Sequence, residues 1–351
     1  MIEIRLARSP GERRVALVKH GVLTGYRLER PARPDGVGDI LQGRILAVAP
    51  ALAGAFVALP EGVTGFLPES EAPERRLPPE GTRLTLRVIR AAQGGKGPRL
   101  SARTPQLPGE GLLARGPDQA LRWAAQHPAA RVVVDDAAEQ ARLVAALGRE
   151  RVVRGQAFDE ALEAEVEQLE SPEAALPGGG RLIISPLPAL TAVDVDSGGA
   201  EPMAANKAAI PEFARQIRLR DLAGPILLDL AGLSPKQRAR LEAPLRAALA
   251  GDGLAQPLGF GPLGLFELRR ARIHPPLHEV LADRALARGL ALLRRAAREA
   301  SAAPHRRLAL HAPRAVLEAL RALPGALEEY AASAGHALAL REASAEEVTD
   351  A

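Results

Sequence analysis

The chain has 351 residues, 47% of them hydrophobic and 25% charged, with a formal net charge of +4 and no cysteine. That length and apolar content suit a folded protein of two or three domains. The missing thiol excludes disulfides, thiol catalysis and cysteine-ligated zinc or iron–sulfur sites. No uncharged apolar run approaches the roughly 20 residues of a membrane span, so a soluble, cytoplasmic protein is expected. The basic residues are nearly all arginine, the lysines being Lys19, Lys96, Lys207 and Lys236. Arginine's planar fork grips two phosphate oxygens at once, although genome bias and solvated helix faces would give the same composition.

The first eight residues alternate apolar and charged side chains, as a strand does and a signal peptide does not. Residues 13–18 and 23–29 read as a hairpin turning at Gly21, and a Pro- and Gly-rich joint covers 31–38. From 39 to 103 the pattern is all-β. Five short strands in about 65 residues suit a small OB-type barrel. The middle switches to strands alternating with helices: a strand at 131–135, a helix at 137–147, a strand at 151–154 and an acidic helix at 158–169. Such alternation argues for a sheet with crossover helices. A turn then runs into a strand ending at 184, and a second strand spans 190–195. A long helix over 205–222, a buried strand at 225–230, a helix from Pro235 to 250 and a strand at 264–270 follow. Ser234 is placed to cap the Pro235 helix. Beyond Pro275 and Pro276 the spacing predicts a long helix over 277–302, a strand at 307–310, a helix over 316–332 broken near Pro324, a last strand at 336–341 and a frayed acidic tail.

Two clusters could carry chemistry. In Ala192 to Gly198 (AVDVDSG), Asp194 and Asp196 stand two apart on an apolar strand, so alternation puts both on one face. Asp229 closes a second apolar run. If the two strands are neighbours, the carboxylates converge at one sheet rim and suit a hard cation such as Mg²⁺. The same residues also read as turn and cap aspartates. The second cluster is Phe56, Phe66 and Lys96 in the β-rich segment. Phenylalanines on neighbouring barrel strands can stack bases, or they can simply fill the barrel. Lys96 lies in a Gly-rich loop that either meets phosphates or is an ordinary hairpin turn. It is not a P-loop, whose spacing is absent. His274 and His278 are four apart, but the intervening prolines argue against a two-histidine zinc site.

These segments, in this order, resemble the ribonuclease E/G family. Gly38 to Arg44 (GDILQGR), Ala55 to Val57 and Gly65 to Pro68 look like the opening of its S-one-type OB domain. Leu190 to Gly198 looks like its metal-binding signature. Asn206, Arg215 to Leu222, Gly224 and the Asp229 strand are similar to its most characteristic helix–strand unit, and Gly264 to Leu268 with Arg270 and Arg272 to the strand that follows. The resemblance implies an α+β multidomain fold. An RNase H-like hairpin (1–37) is split by an OB-fold barrel (38–103). A reduced 5′-sensor and RNase H-like region (104–180), a DNase I-like α/β catalytic subdomain (181–275) and a small C-terminal α/β domain (276–351) follow.

It also implies roles. Asp194 and Asp229 match the family's magnesium-binding aspartates, with Asp196 beside them. Phe56, Phe66, Lys96 and Arg90 match RNA-binding positions, and Arg115 matches the arginine that reads a 5′ monophosphate. The implied function is a magnesium-dependent endoribonuclease that cuts single-stranded RNA in processing or decay, ribosomal RNA included, leaving 5′-phosphate products. Where the family usually has Asn, this chain has Asp196. A second acidic residue after the Asp229 strand is replaced by Gly232, the threonine beside the sensing arginine by Gly116, and the cysteine zinc link is gone. No zinc is therefore expected, and any homodimer would not form through it. The lost carboxylate leaves a second expectation open, a catalytically degenerate RNA-binding relative.

Overall fold

The computed structural model describes Met1–Ala351 as a mixed α+β multidomain molecule with four sheets. No helix is long and apolar enough to cross a membrane. The chain opens with an antiparallel meander, β1 (Ile2–Ser9), β2 (Glu12–Lys19) and β3 (Val22–Glu29). Its near-continuous apolar run at 15–18 is explained by cover on both faces. Ile4, Leu6, Val15 and Leu17 are buried on one side, and Ala7, Ala16 and Val18 on the other.

The next segment is a closed five-stranded barrel of β4 (Ile40–Ala49), β5 (Gly54–Ala58), β6 (Thr64–Pro68), β7 (Arg83–Arg90) and β8 (Arg99–Ser101), consistent with an OB-like fold. Alternate residues, among them Ile45, Val57, Leu67, Leu86 and Leu100, fill it. A short strand the sequence did not disclose, β9 (Leu112–Ala114), pairs with β4 outside the closed ring. The chain leaves and re-enters the body at Gly38 and Gly116. These two glycines pack so tightly that a Cβ on Gly116 would lie 2.6 Å from the Val37 carbonyl oxygen.

Back in the body, α1 (Gln119–Gln126), β10 (Arg131–Val134), α2 (Ala137–Leu147), β11 (Val152–Arg154) and α3 (Glu160–Glu167) follow. β10 lies parallel to β1 and β11 parallel to β10, giving the order β11-β10-β1-β2-β3. One sheet is thus built from two lengths of chain with the barrel between them. The sequence reading named no helix here, although α1 is amphipathic, with Ala120 and Ala124 on its buried face. Asp118 caps it by accepting the Leu121 N–H at 3.0 Å.

A six-stranded sheet comes next: β12 (Glu173–Ala175), β13 (Arg181–Pro186), β14 (Thr191–Asp196), then α4 (Pro202–Leu219), β15 (Gly224–Asp229), α5 (Pro235–Leu249), β16 (Ala255–Phe260) and β17 (Phe266–Arg270). Its order is β12-β13-β14-β15-β17-β16. The crossover through α4 makes β14 and β15 parallel neighbours. Both helices cover one face, where Val193, Val195, Ile226, Leu228, Phe213 and Leu245 are buried. Ser234 and Gln237 form a reciprocal capping box on α5.

The C-terminal region departs from the sequence expectation in two places. The helix expected over 277–302 is two, α6 (Leu277–Val280) and α7 (Arg284–Ala302). Asp283 interrupts it by capping the second helix, accepting the Leu286 N–H at 3.0 Å. After β18 (Leu308–Ala312), α8 (Arg314–Arg321), α9 (Ala326–Ala334) and β19 (Ala339–Glu342), the acidic tail does not fray. It forms β20 (Glu347–Asp350), antiparallel to β18, with Val348 buried beneath it.

Candidate functional site: an aspartate face and a basic cleft

The sequence-predicted residues fall into two places. The first is the uncovered face of the β12–β17 sheet. Because β14 and β15 are parallel and in register, Asp194 stands directly opposite Asp229. Alternation turns Val193, Val195 and Leu228 inward and leaves Asp194, Asp196 and Asp229 on the outer face. Asp229 is half-exposed. Burial of the Asp194 carboxyl, then the negative charges of Asp229 and Asp196, push the Asp194 pKa up. Asp196 is shifted the other way. Its Oδ1 accepts the Gly198 N–H at 3.0 Å and its Oδ2 meets the Arg181 guanidinium at 3.0 Å, and these two contacts, the backbone one first, lower its pKa. The turn after it is tight. Gly198 has φ +58, and a Cβ there would lie 2.3 Å from the Gly179 carbonyl oxygen.

Behind the face, Asn206 of α4 is fully buried. Its Nδ2 donates to the carbonyls of Pro202 at 2.7 Å and Ala231 at 2.8 Å, and its Oδ1 accepts the Ala231 N–H at 3.0 Å. It therefore fixes the chain just beyond Asp229. Gly232, where the resembled family carries acid, has φ +56, a left-handed backbone that favours glycine. No three carboxylate or imidazole groups converge closely enough to hold a metal ion by themselves. Two opposed, outward-facing carboxylates do fit Mg²⁺, which binds through one or two protein carboxylates and keeps several waters.

The second place is an open cleft of about 1670 Å³ between the barrel, the joint at 31–37, α1 and the residues around His274. It gathers Phe56, Phe66, Arg90, Lys96 and Arg115, and none of the three aspartates. Phe56 and Phe66 are cross-strand partners on β5 and β6, outside the barrel core, with rings edge to face and centroids 5.7 Å apart. Gly97 lets the Lys96 loop lie against β6, since a Cβ there would meet the Thr64 carbonyl oxygen at 1.6 Å. Arg90 faces Arg99 across β7 and β8. Burial, then the charges of Arg99 and Arg272, lower its pKa. Arg115 is largely exposed, yet its Nη1 donates to Asp39 at 2.8 Å, and Asp39 also accepts the Gly116 N–H at 2.8 Å.

The sequence reading weighed His274 only as half of a zinc site and missed its two partners in this cleft, Asp35 and Arg122. His274 Nδ1 lies 2.6 Å from Asp35, its Nε2 lies 3.0 Å from Arg122 Nη1, and Arg122 also donates to the Val37 carbonyl. A histidine, an aspartate and an arginine from three distant segments carry no local spacing that would have revealed them.

Comparison with known proteins bears on the first of these places. The model of the ribonuclease E/G family matches residues 119–273. Ribonuclease E of Escherichia coli is 38% identical over 100 residues, 26% of this chain and 9% of that protein. Ribonuclease G of Haemophilus influenzae is 30% identical over 118 residues, 28% of this chain and 24% of that protein. The matches thus span between about a tenth and a quarter of the length of these relatives. A solved multidomain protein with nucleic acid binding domains from Streptococcus pneumoniae is 18% identical, covering 43% of this chain and 48% of its own, with a TM-score of 0.20, too low to carry an argument.

Proposed function

Given the membership of the ribonuclease E/G family that these matches support, we propose that the chain is a magnesium-dependent endoribonuclease acting on single-stranded RNA. The observation that carries the reading is the register of Asp194 opposite Asp229 on an uncovered sheet face, inside the segment that the family model matches. Asp194 and Asp229 would hold the magnesium ion, with Asp196 beside them. When bound, that ion supplies Lewis-acid polarisation of a phosphodiester and a bound water of lowered pKa, the chemistry of hydrolysis to 5′-phosphate and 3′-hydroxyl ends. Asn206 keeps the Asp229 strand end in place.

The cleft supplies the strand-binding side. Phe56 and Phe66 offer faces for base stacking, worth roughly 1–3 kcal/mol per base, and Lys96 and Arg90 take backbone phosphates. Arg115 would read a 5′ phosphate by exchanging Asp39 for it. The strand order β11-β10-β1-β2-β3, parallel from β11 to β1 and antiparallel from β1 to β3, supports an RNase H-like reading of the split body at 1–37 and 104–180. The helix-covered sheet supports a DNase I-like reading of 181–275, with the OB barrel at 38–103 and the small domain at 276–351. A cytoplasmic protein, monomeric or a homodimer formed without zinc, accords with this reading.

Two observations favour a second reading, an RNA-binding relative that no longer cuts. Asp196 is engaged by Arg181, and Gly232 offers no carboxylate. A gel assay on single-stranded RNA, with magnesium or with a chelator, separates the two. Cleavage that needs the metal and is lost in Asp194→Asn is expected, and equal cleavage by that variant overturns the endonuclease reading. Running 5′-monophosphate against 5′-triphosphate RNA reports on Arg115: with the sensor reduced, relaxed end-dependence is expected, and equal rates would show that Arg115 no longer senses the end.

A further inference from the structure

The Asp194–Asp229 pair is flanked by two arginines to which the proposed function gives no task. We infer that Arg181 and Arg238 bind the phosphodiester at this face, one from each side. The inference rests on the endoribonuclease reading for the identity of that anion as RNA phosphate.

On one side, Arg181 of β13 is the register partner of Asp196, so alternation brings its side chain out on the same face as the aspartates. Its Nη2 meets Asp196 at 3.0 Å and its Nη1 meets Glu173 at 3.5 Å. Those contacts engage two of five N–H donors, and the side chain remains 48% exposed. Both oxygens of Asp196 are thereby taken, by Gly198 and Arg181. Asp196 is on this account a positioning residue that steers a guanidinium beside the acidic pair.

On the other side, Arg238 stands in the first turn of α5 and reaches Asp229 only at 3.8 Å, too far for a hydrogen bond. Its Nε is buried without a partner, an arrangement that folded proteins rarely leave unexplained. It is packed against the Gly264 turn, where a Cβ would sit 2.0 Å from its Nη1. An acidic face repels a polyanion, and these guanidinium forks supply the attraction in the geometry that phosphate oxygens accept.

The test uses the full chain and a short single-stranded RNA oligonucleotide. Arg181→Gln and Arg238→Gln should each lower kcat/KM about 10-fold, and together about 100-fold. In the Asp194→Asn background, each should weaken the RNA Kd by a similar factor. Magnesium affinity, read by calorimetry, should stay the same or rise, because a nearby positive charge is removed. Arg181→Lys keeps the charge without the fork and should recover part of the loss, which also supplies the measurement if the glutamine variant does not fold. Asp196→Asn, by loosening Arg181, should weaken the RNA Kd about 3-fold in the Asp194→Asn background. Unchanged RNA affinity and kcat/KM in the folded double variant, or a fall in magnesium affinity that tracks the lost activity, overturns the inference. Cleavage by Asp194→Asn would instead overturn the endoribonuclease reading, and the RNA binding of the arginine variants is measured independently of it.

Discussion

The aspartate face and the basic cleft are assembled from different kinds of sequence. The face comes from one continuous stretch, in which two apolar strands joined by one helix place Asp194 and Asp229 side by side. The cleft draws on the barrel, the joint, α1 and the residues near His274, which meet only in the folded molecule. Local periodicity therefore specifies the first and tertiary assembly the second. The face concentrates negative charge around outward carboxylates. The cleft concentrates arginines, a lysine and two outward phenylalanine rings. On the proposed function the carboxylates of the one react and the other holds the strand, with Arg181 and Arg238 adding phosphate contacts at the face, and mutations can pull these apart.

The largest separation is expected at the carboxylates. Asp194→Asn or Asp229→Asn should lower kcat about 1000-fold or more while leaving RNA affinity within about 2-fold. Cleavage kinetics beside fluorescence anisotropy check this, and a matching loss of binding would merge the two regions into one site. Phe56→Ala should do the reverse, weakening RNA binding about 10-fold with kcat at saturation nearly unchanged. Asn206→Ala should destabilise the chain by about 1–3 kcal/mol, because the partly buried Ala231 N–H and C=O lose their partner. Urea unfolding measures that, and activity should fall with it as the Asp229 strand end loosens. Lys96→Gln should reduce the slope of log affinity against log salt by about 0.7, a change that Asp194→Asn should not share. The smallest effect is in the cleft's pH response. Burial, with the charges of Arg27 and Arg122, holds the His274 pKa below its ordinary value despite Asp35. The folded state then binds fewer protons than the unfolded one as pH falls below about 6.5. Stability is complete above that pH and declines beneath it, and His274→Gln should flatten the decline in thermal melts between about pH 5 and 7.

How much of this was legible follows the same division. Period-two alternation put Asp194 and Asp196 on one face and Asp229 at the end of a buried strand. It did not disclose that Asp196 is occupied by Arg181, because that depends on the hairpin register between β13 and β14. On their own, Phe56 and Phe66 stayed undecided between barrel filling and stacking, since alternation gives two faces without saying which is inside. The resemblance, not their spacing, chose for them. Strand β16 was obscured by Pro257 and Gly259, where its pairing with β17 shifts. β20 was obscured by charge, with Val348 its buried residue.

The pinch between Gly38 and Gly116 has a consequence for synthesis. The body sheet is centred on β1, yet β1's second neighbour, β10, lies beyond the whole barrel. As the chain emerges from N- to C-terminus, the barrel has all its strands before the body has its own. The first three strands must wait as an incomplete meander with one edge of β1 unpaired, and such an edge is open to wrong partners. A self-contained insert whose two ends meet at a glycine pair lets the barrel close independently and still bring α1 and β10 back to the waiting edge.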